Sequence, residues 1–198
     1  GFLLVASYTL NALSPVLAGK FQVTTTVIKM IPLLLMAVFG TVKGLSSGLL
    51  IQNFTEVAVP ASELGGKGYM LFTAVCATAF AYEGWIIATS INSELKDAKK
   101  NLPKALVIGT LIVMITYVLY YIGLAGAVEN SVMMESGETG ARIAFSNVFS
   151  HIGGTLLFVF IVISCLGTLN GLMLGTVRGL YAISVRNEGI RPDVFKQV

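Results

Sequence analysis

Two charged side chains stand where charge is expensive. Lys29 and Glu83 both lie inside long apolar runs. An ionised group at mid-depth in a bilayer costs about 2.5–3.5 kcal/mol on insertion scales, so such a group has either a partner or a task. Glu83 is embedded in Phe80-Ala81-Tyr82-Glu83-Gly84-Trp85. Its side chain is too short to reach either interface, so it either bonds a neighbouring helix or serves a site. Gly84 weakens a helix at the same point. A break near Tyr82–Gly84 exposes backbone carbonyls and helix ends to a central cavity, the construction by which discontinuous helices bind substrates and ions in transporters. Tyr82 and Trp85 either line that cavity or pack. Lys29 lies two turns into its apolar segment, and Pro32 one turn further on removes an amide donor and frees the carbonyl near Ile28. Lys29 therefore either snorkels to the headgroups or supplies a cation beside a loosened turn. Tyr117 offers a deep hydroxyl, and Ser164, Thr168 and Asn170 offer oxygens along a stripe of Gly167, Gly171, Gly175 and Gly179. The stripe itself predicts close approach of another helix.

The elements that hold these residues are apolar helices. The chain has 198 residues, 55% hydrophobic and 12% charged, with mean hydropathy +0.83; soluble domains carry about 25% charge. This is an all-α membrane protein by composition. The net charge of +3 is small and no contiguous basic patch marks a nucleic-acid partner. Cys76 and Cys165 sit in apolar runs, which speaks against a disulfide framework. No Met start or charged leader precedes the first apolar run, so the chain is expected to begin inside a membrane segment of something longer.

Five stretches approach the roughly 20 apolar residues a crossing needs. They are 2–18, 23–42, 68–92, 105–128 and 155–177, the last continuing as helix to about 185. Asn11, Ser14 and Pro15 interrupt the first, whose Ser7, Tyr8, Thr9 and Asn11 suit interhelical bonding. Loop charge alternates between them. Lys20 lies in the first turn, Lys96, Lys99, Lys100 and Lys104 in the connector 93–104, and Arg178, Arg186, Arg191 and Lys196 in the tail. The loop 44–66 has Glu56 and Glu63 and no basic residue; the loop 129–140 has Glu129, Glu135 and Glu138 and none either. The basic connections, with 93–104 and 178–198 among them, are thus expected in the cytoplasm and the acidic loops outside. The loop 44–66 is expected to hold a small surface helix or a flap, Tyr120 and Tyr121 to join an outer aromatic belt, and His151 to be solvated.

Catalysis finds no footing: no paired carboxylates, metal-binding H-E-x-x-H, phosphate loop or Ser/His/Asp set is present, and neither a cofactor nor a metal is implied. A plain anchor or scaffold has no need of Lys29 or Glu83. A channel is the competing class, and a broken helix with an acid at mid-depth fits an alternating-access carrier better.

Three blocks carry a resemblance. Phe80-Ala81-Tyr82-Glu83-Gly84-Trp85, then Ser93-Glu94-Leu95-Lys96 and Lys100-Asn101-Leu102-Pro103-Lys104-Ala105, resemble helix 6 and its connector in permeases of the amino acid–polyamine–organocation superfamily. The L-type amino acid transporter branch, with roughly F-A-Y-G-G-W, E-E and N-L-P-R-A, is the most similar. Ser164-Cys165-Leu166-Gly167-Thr168-Leu169-Asn170-Gly171 with Arg178 is similar to helix 8, and Thr26-Val27-Ile28-Lys29 to the helix 5 lysine region. In order, they make the chain look like helices 4 to 8 of about twelve. The resemblance implies part of an inverted-repeat (LeuT-like) transmembrane bundle in the plasma membrane, transporting amino acids, with polyamines or other organic cations as the alternative cargo. Phe80 would gate the substrate, backbone carbonyls around Phe80, Ala81 and Glu83 would receive its ammonium group, and Tyr117 would stand close by. Lys29 would replace a coupling sodium ion near Ser164 and Thr168. Helix 1, the other half of the site, would belong to missing helices of the same transporter, and the sequence names no accessory subunit. Two departures stand out. Glu83 replaces the branch's glycine, and Ser93 and Ala98 replace its usual Glu and Pro.

Overall fold

Ser14-Pro15 is a helix start written into the first apolar segment. The Ser14 hydroxyl accepts the Leu17 amide at 3.3 Å, and Pro15 takes the first helical position, where its missing N–H costs nothing. In the computed structural model the segment expected at 2–18 is therefore α1, Phe2–Leu13, followed at once by α2, Pro15–Leu35. The turn expected around Lys20 lies inside α2, and the helix expected from 23 begins eight residues earlier. The structure describes residues 1–56, 65–82, 84–90, 95–189 and 191–196, with backbone alone at Pro15, Phe80, Ile86, Ser90 and Glu138.

Pro32 does not end α2. The helix runs on to Leu35, widens into a π-helical turn at Met36–Gly40 and resumes as α3, Thr41–Ser47. Gly48, at φ +76, admits the reversal into α4, Leu49–Thr55. The stretch expected at 68–92 is α5, Lys67–Ala81, and α6, Trp85–Ser90. Then α7 spans Ala98–Ala127, so the helix expected from 105 starts seven residues sooner. The reason is local: the Asp97 carbonyl accepts the amides of Lys100 and Asn101, and Asn101 Nδ2 donates to the Lys96 carbonyl at 2.7 Å. Short α8, Asn130–Ser136, and a 3-10 turn lead to α9, Gly140–Phe149. Last come α10, His151–Val185, which starts before the expected 155, and α11, Pro192–Phe195. No strand occurs among the described residues.

The architecture is that of an all-α integral membrane protein. Val16–Ser47, Ala98–Ala127 and His151–Val185 are long and apolar enough to cross a bilayer. Each, at 1.5 Å per residue, exceeds about 40 Å against a hydrocarbon core of about 30 Å. Their large apolar side chains are mostly exposed, as on Val107, Ile108, Leu111 and Ile115 of α7. Such faces suit lipid or further apolar helices. Of the other expected spans, α1 and α5 are shorter than a crossing, at 12 and 15 residues.

The chain divides into two compact units. The first comprises Gly1–Ile28, Gly84–Gly109 and Ile163–Val198; the second comprises Lys29–Glu83 and Thr110–Val162. In the second unit Met36, Ala127, Val128, Ala144, Phe145 and Leu157 form the core. Tyr120, expected in an outer belt, packs against that core, while Tyr121 is exposed. Backbone meets backbone where Gly40 and Gly44 face Gly123 and Gly126, since a Cβ on any of the four would overlap the opposite chain.

Asparagines close the end of α7. Asn53 Nδ2 donates to the carbonyls of Ala125 (2.7 Å) and Val128 (2.8 Å), and Asn147 Nδ2 to Ala127 (3.0 Å). Asn53 Oδ1 accepts the Asn130 amide. Lys43 Nζ donates to the Asn147 carbonyl in the last turn of α9, where a cation complements the helix dipole. The first part of the 44–66 loop is thus a clasp on α7, while 57–64 lies outside the described residues. Asn53→Ala orphans two acceptors at about 1–3 kcal/mol each. A melting temperature lowered by several degrees is expected, read by thermal unfolding in detergent.

Candidate functional site

The break is local in origin. The amide of Tyr82, just past α5, donates to the Thr78 carbonyl at 3.1 Å. Gly84 has φ +122, a conformation that side chains with a Cβ rarely adopt, and no atom lies within 4 Å of where its Cβ would be. Its demand is therefore conformational, not steric. Its carbonyl then accepts the Ile87 amide at 3.1 Å, opening α6. The discontinuity expected within 68–92 is present at Tyr82–Gly84.

Around it, Ala81 is exposed, Tyr82 half-buried and Trp85 exposed. Phe80 is the penultimate residue of α5, with a helical backbone. Glu83, the residue on which the sequence places most weight, lies outside the described residues. Tyr82 and Tyr117 are brought together in the second unit: their rings meet edge to face at 5.4 Å and 69°. Such a pair contributes about 0.5–1.5 kcal/mol beyond burial, tying the end of α5 to the middle of α7.

The residues expected to form an ion-site-like group are not described as one cluster. Lys29 is half-buried on α2 and belongs to the second unit. Ser164 is half-buried and Thr168 exposed on α10, both in the first unit. Among the described residues no group of three or more His, Cys, Asp or Glu is placed to hold a metal. His151, the first residue of α10, is exposed.

The first unit holds a polar cluster that was only partly legible in the sequence. Asn170 is 1% exposed at the centre of α10. Its Oδ1 accepts Asn11 Nδ2 at 2.8 Å, and its Nδ2 donates to the Ala18 carbonyl (3.3 Å) and Gln22 Oε1 (3.0 Å). Asn11 Nδ2 also donates to the Ser7 carbonyl at 2.9 Å. The glycine stripe of α10 has two partners where one helix was expected. A Cβ on Gly167 would fall 2.6 Å from Thr25 Oγ1, and one on Gly171 would fall 3.4 Å from Gln22 Nε2, both on α2. A Cβ on Gly175 would fall 3.3 Å from Ile87 of α6. Asn170 and Asn11 carried a signal as polar residues in apolar segments; Gln22 carried none.

Comparison with known proteins adds a consistent picture. The model of a family described as amino acid permease matches residues 2–198. The chain is 32% identical over 179 residues to the serine/threonine exchanger SteT of Bacillus subtilis (strain 168), covering 90% of this chain and 39% of that protein. It is 24% identical over 189 residues to the cystine/glutamate transporter of Homo sapiens, covering 96% of this chain and 36% of that one. With the b(0,+)-type amino acid transporter 1 of Mus musculus it shares 27% over 179 residues, 87% and 34% of the two. The chain thus spans between 34% and 39% of the length of these relatives. No solved structure matches it.

Proposed function

This chain belongs to the amino acid permease family, and from that premise we propose that it is the helix 4 to 8 portion of a secondary-active amino acid carrier. The carrier works by alternating access in the plasma membrane, within an inverted-repeat bundle completed by further helices of the same transporter. The observation that carries the reading is the break at Tyr82–Gly84, held by a glycine at φ +122 inside an otherwise apolar helical stretch. A helix that stops and restarts presents unpaired carbonyls and amides, which is what a zwitterion's ammonium and carboxylate require. Phe80, Ala81, Tyr82, Glu83, Gly84 and Trp85 form the substrate segment, with Tyr117 set against Tyr82. Lys29 supplies a fixed positive charge in place of a coupling cation. Ser164 and Thr168 are the candidate oxygen donors on α10. No covalent chemistry is involved, and the basic connections face the cytoplasm.

The relatives named as exchangers and transporters of amino acids support amino acids as the cargo class. Glu83 gives the second reading its footing, since an acid at the break favours a cationic or amine-bearing substrate, or couples transport to protons. The test is uptake by the full-length carrier in liposomes preloaded with amino acid. Uptake of labelled amino acid that depends on the preload supports exchange; ion current without amino acid uptake moves the protein to the channel class. Replacement of Glu83 by Gln is expected to weaken selection for cationic cargo or to flatten the dependence of uptake on pH. Unchanged selectivity together with an unchanged pH profile removes Glu83 from the site.

A further inference from the structure

We infer that Asn11, Gln22 and Asn170 form a polar clamp across α1, α2 and α10 that is incompletely satisfied in this conformation, and so acts as a conformational switch released when α1 shifts. The inference rests on the carrier reading for its purpose and on geometry for its existence.

The orientation of each amide is forced. The Ala18 carbonyl can only accept, so Asn170 must present Nδ2 to it, and Oδ1 then faces Asn11. Asn11 must answer with Nδ2, whose second proton goes to the Ser7 carbonyl. Turning over either amide would set oxygen against oxygen. Asn11 Oδ1 is left over as a consequence, and the Ser7 hydroxyl, which can donate as well as accept, is also unpaired. Asn11 Oδ1 and Ser7 Oγ are buried and have no hydrogen-bond partner among the described residues. Both project from one face of α1, four residues apart. An unpaired polar atom inside a membrane helix contact is costly because nothing in the lipid can replace the missing bond.

The clamp is therefore strong at Asn170 and strained at α1. Movement of α1 away from α10 gives Ser7 and Asn11 new partners or water while it breaks the Asn11–Asn170 bond, so one loss is offset by the other. The consequence reaches the break through α10. The stripe that seats Thr25 at Gly167 and Gln22 at Gly171 seats Ile87 of α6 at Gly175. A change in how α1 and α2 hold α10 is thereby presented to the helix that follows Gly84.

Ser7→Ala in the full-length carrier removes an unpaired hydroxyl and no hydrogen bond of this conformation. We expect it to melt at a higher temperature in detergent and to exchange substrate about fivefold more slowly, the factor that one unpaired hydroxyl is worth. A lowered or unchanged melting temperature, or wild-type turnover, overturns the proposal. A second variant reads the release directly. Ser7→Cys, in a background with Cys76→Ser and Cys165→Ser, is expected to resist a maleimide in the absence of substrate and to react during exchange. Equal labelling in both states, or none in either, overturns the switch. Wild-type protein that exchanges no amino acid would fail the carrier reading and the switch with it, and the melting comparison would then stand as the test of the strained clamp alone.

Discussion

Gly126→Val is expected to lower the yield of folded protein sharply. Gly126 of α7 lies so close to α3 that a Cβ there would overlap the Gly40 carbonyl and come within 3.1 Å of Gly44 Cα. The obstacles are main-chain atoms, which cannot swing aside as a side-chain tip does. Overpacking a tight core costs typically about 1–3 kcal/mol, and against main-chain atoms the cost lies at or above the top of that range. Folded domains have only about 5–15 kcal/mol to lose. The same crossing also positions the Asn53 and Asn147 bonds at the end of α7, so displaced helices lose those too. The measurement is yield of monodisperse protein after detergent extraction, with Gly179→Ala as the comparison. Gly179 has nothing within 4 Å of its missing Cβ, and alanine there is expected to be neutral or to stabilise the helix by up to about 1 kcal/mol. Equal yields from both variants would show that the α3–α7 contact is not close.

The second large effect is on transport and leaves the fold alone. Gly84→Ala introduces one methyl group with open space around it, so no packing is lost. The whole penalty arises from φ +122, which alanine tolerates poorly. Strain of this kind costs about 1–3 kcal/mol, and it is relieved by changing the backbone at the break. Protein abundance and melting temperature are expected to stay near wild type while uptake per molecule falls by about tenfold or more. Full uptake with alanine at this position would mean that the break tolerates a different path, and the substrate segment would have to be sought elsewhere.

Much of this could be read from residue types. Apolar length places the long helices, although they start earlier than it predicts, at Pro15, Ala98 and His151. Ser14-Pro15 and Asp97 are start signals of ordinary kind that set the helix ends ahead of the onset of apolar residues. Gly84 beside an intramembrane acid pointed to a break, and the break is there. The stripe on α10 announces close packing, and Gly167, Gly171 and Gly175 are packed while Gly179 is open. Lys43 carries no signal in the sequence, because its role depends on the carbonyl of Asn147, 104 residues away. Glu83 keeps its weight from sequence alone, since it lies outside the described residues.

The division follows the range of the forces. Hydropathy, the φ that only glycine accepts and the missing amide of proline act within a turn or two, so their effects are written locally in the sequence. The clamp at Asn170 was decided by the tertiary structure. Asn11 and Asn170 are 159 residues apart, and the choice of Ala18, Gln22 and Asn11 as partners depends on where α1 and α2 cross α10. A polar residue in an apolar helix declares that it needs a partner; only the crossing of the helices decides which one, and which acceptors are left without.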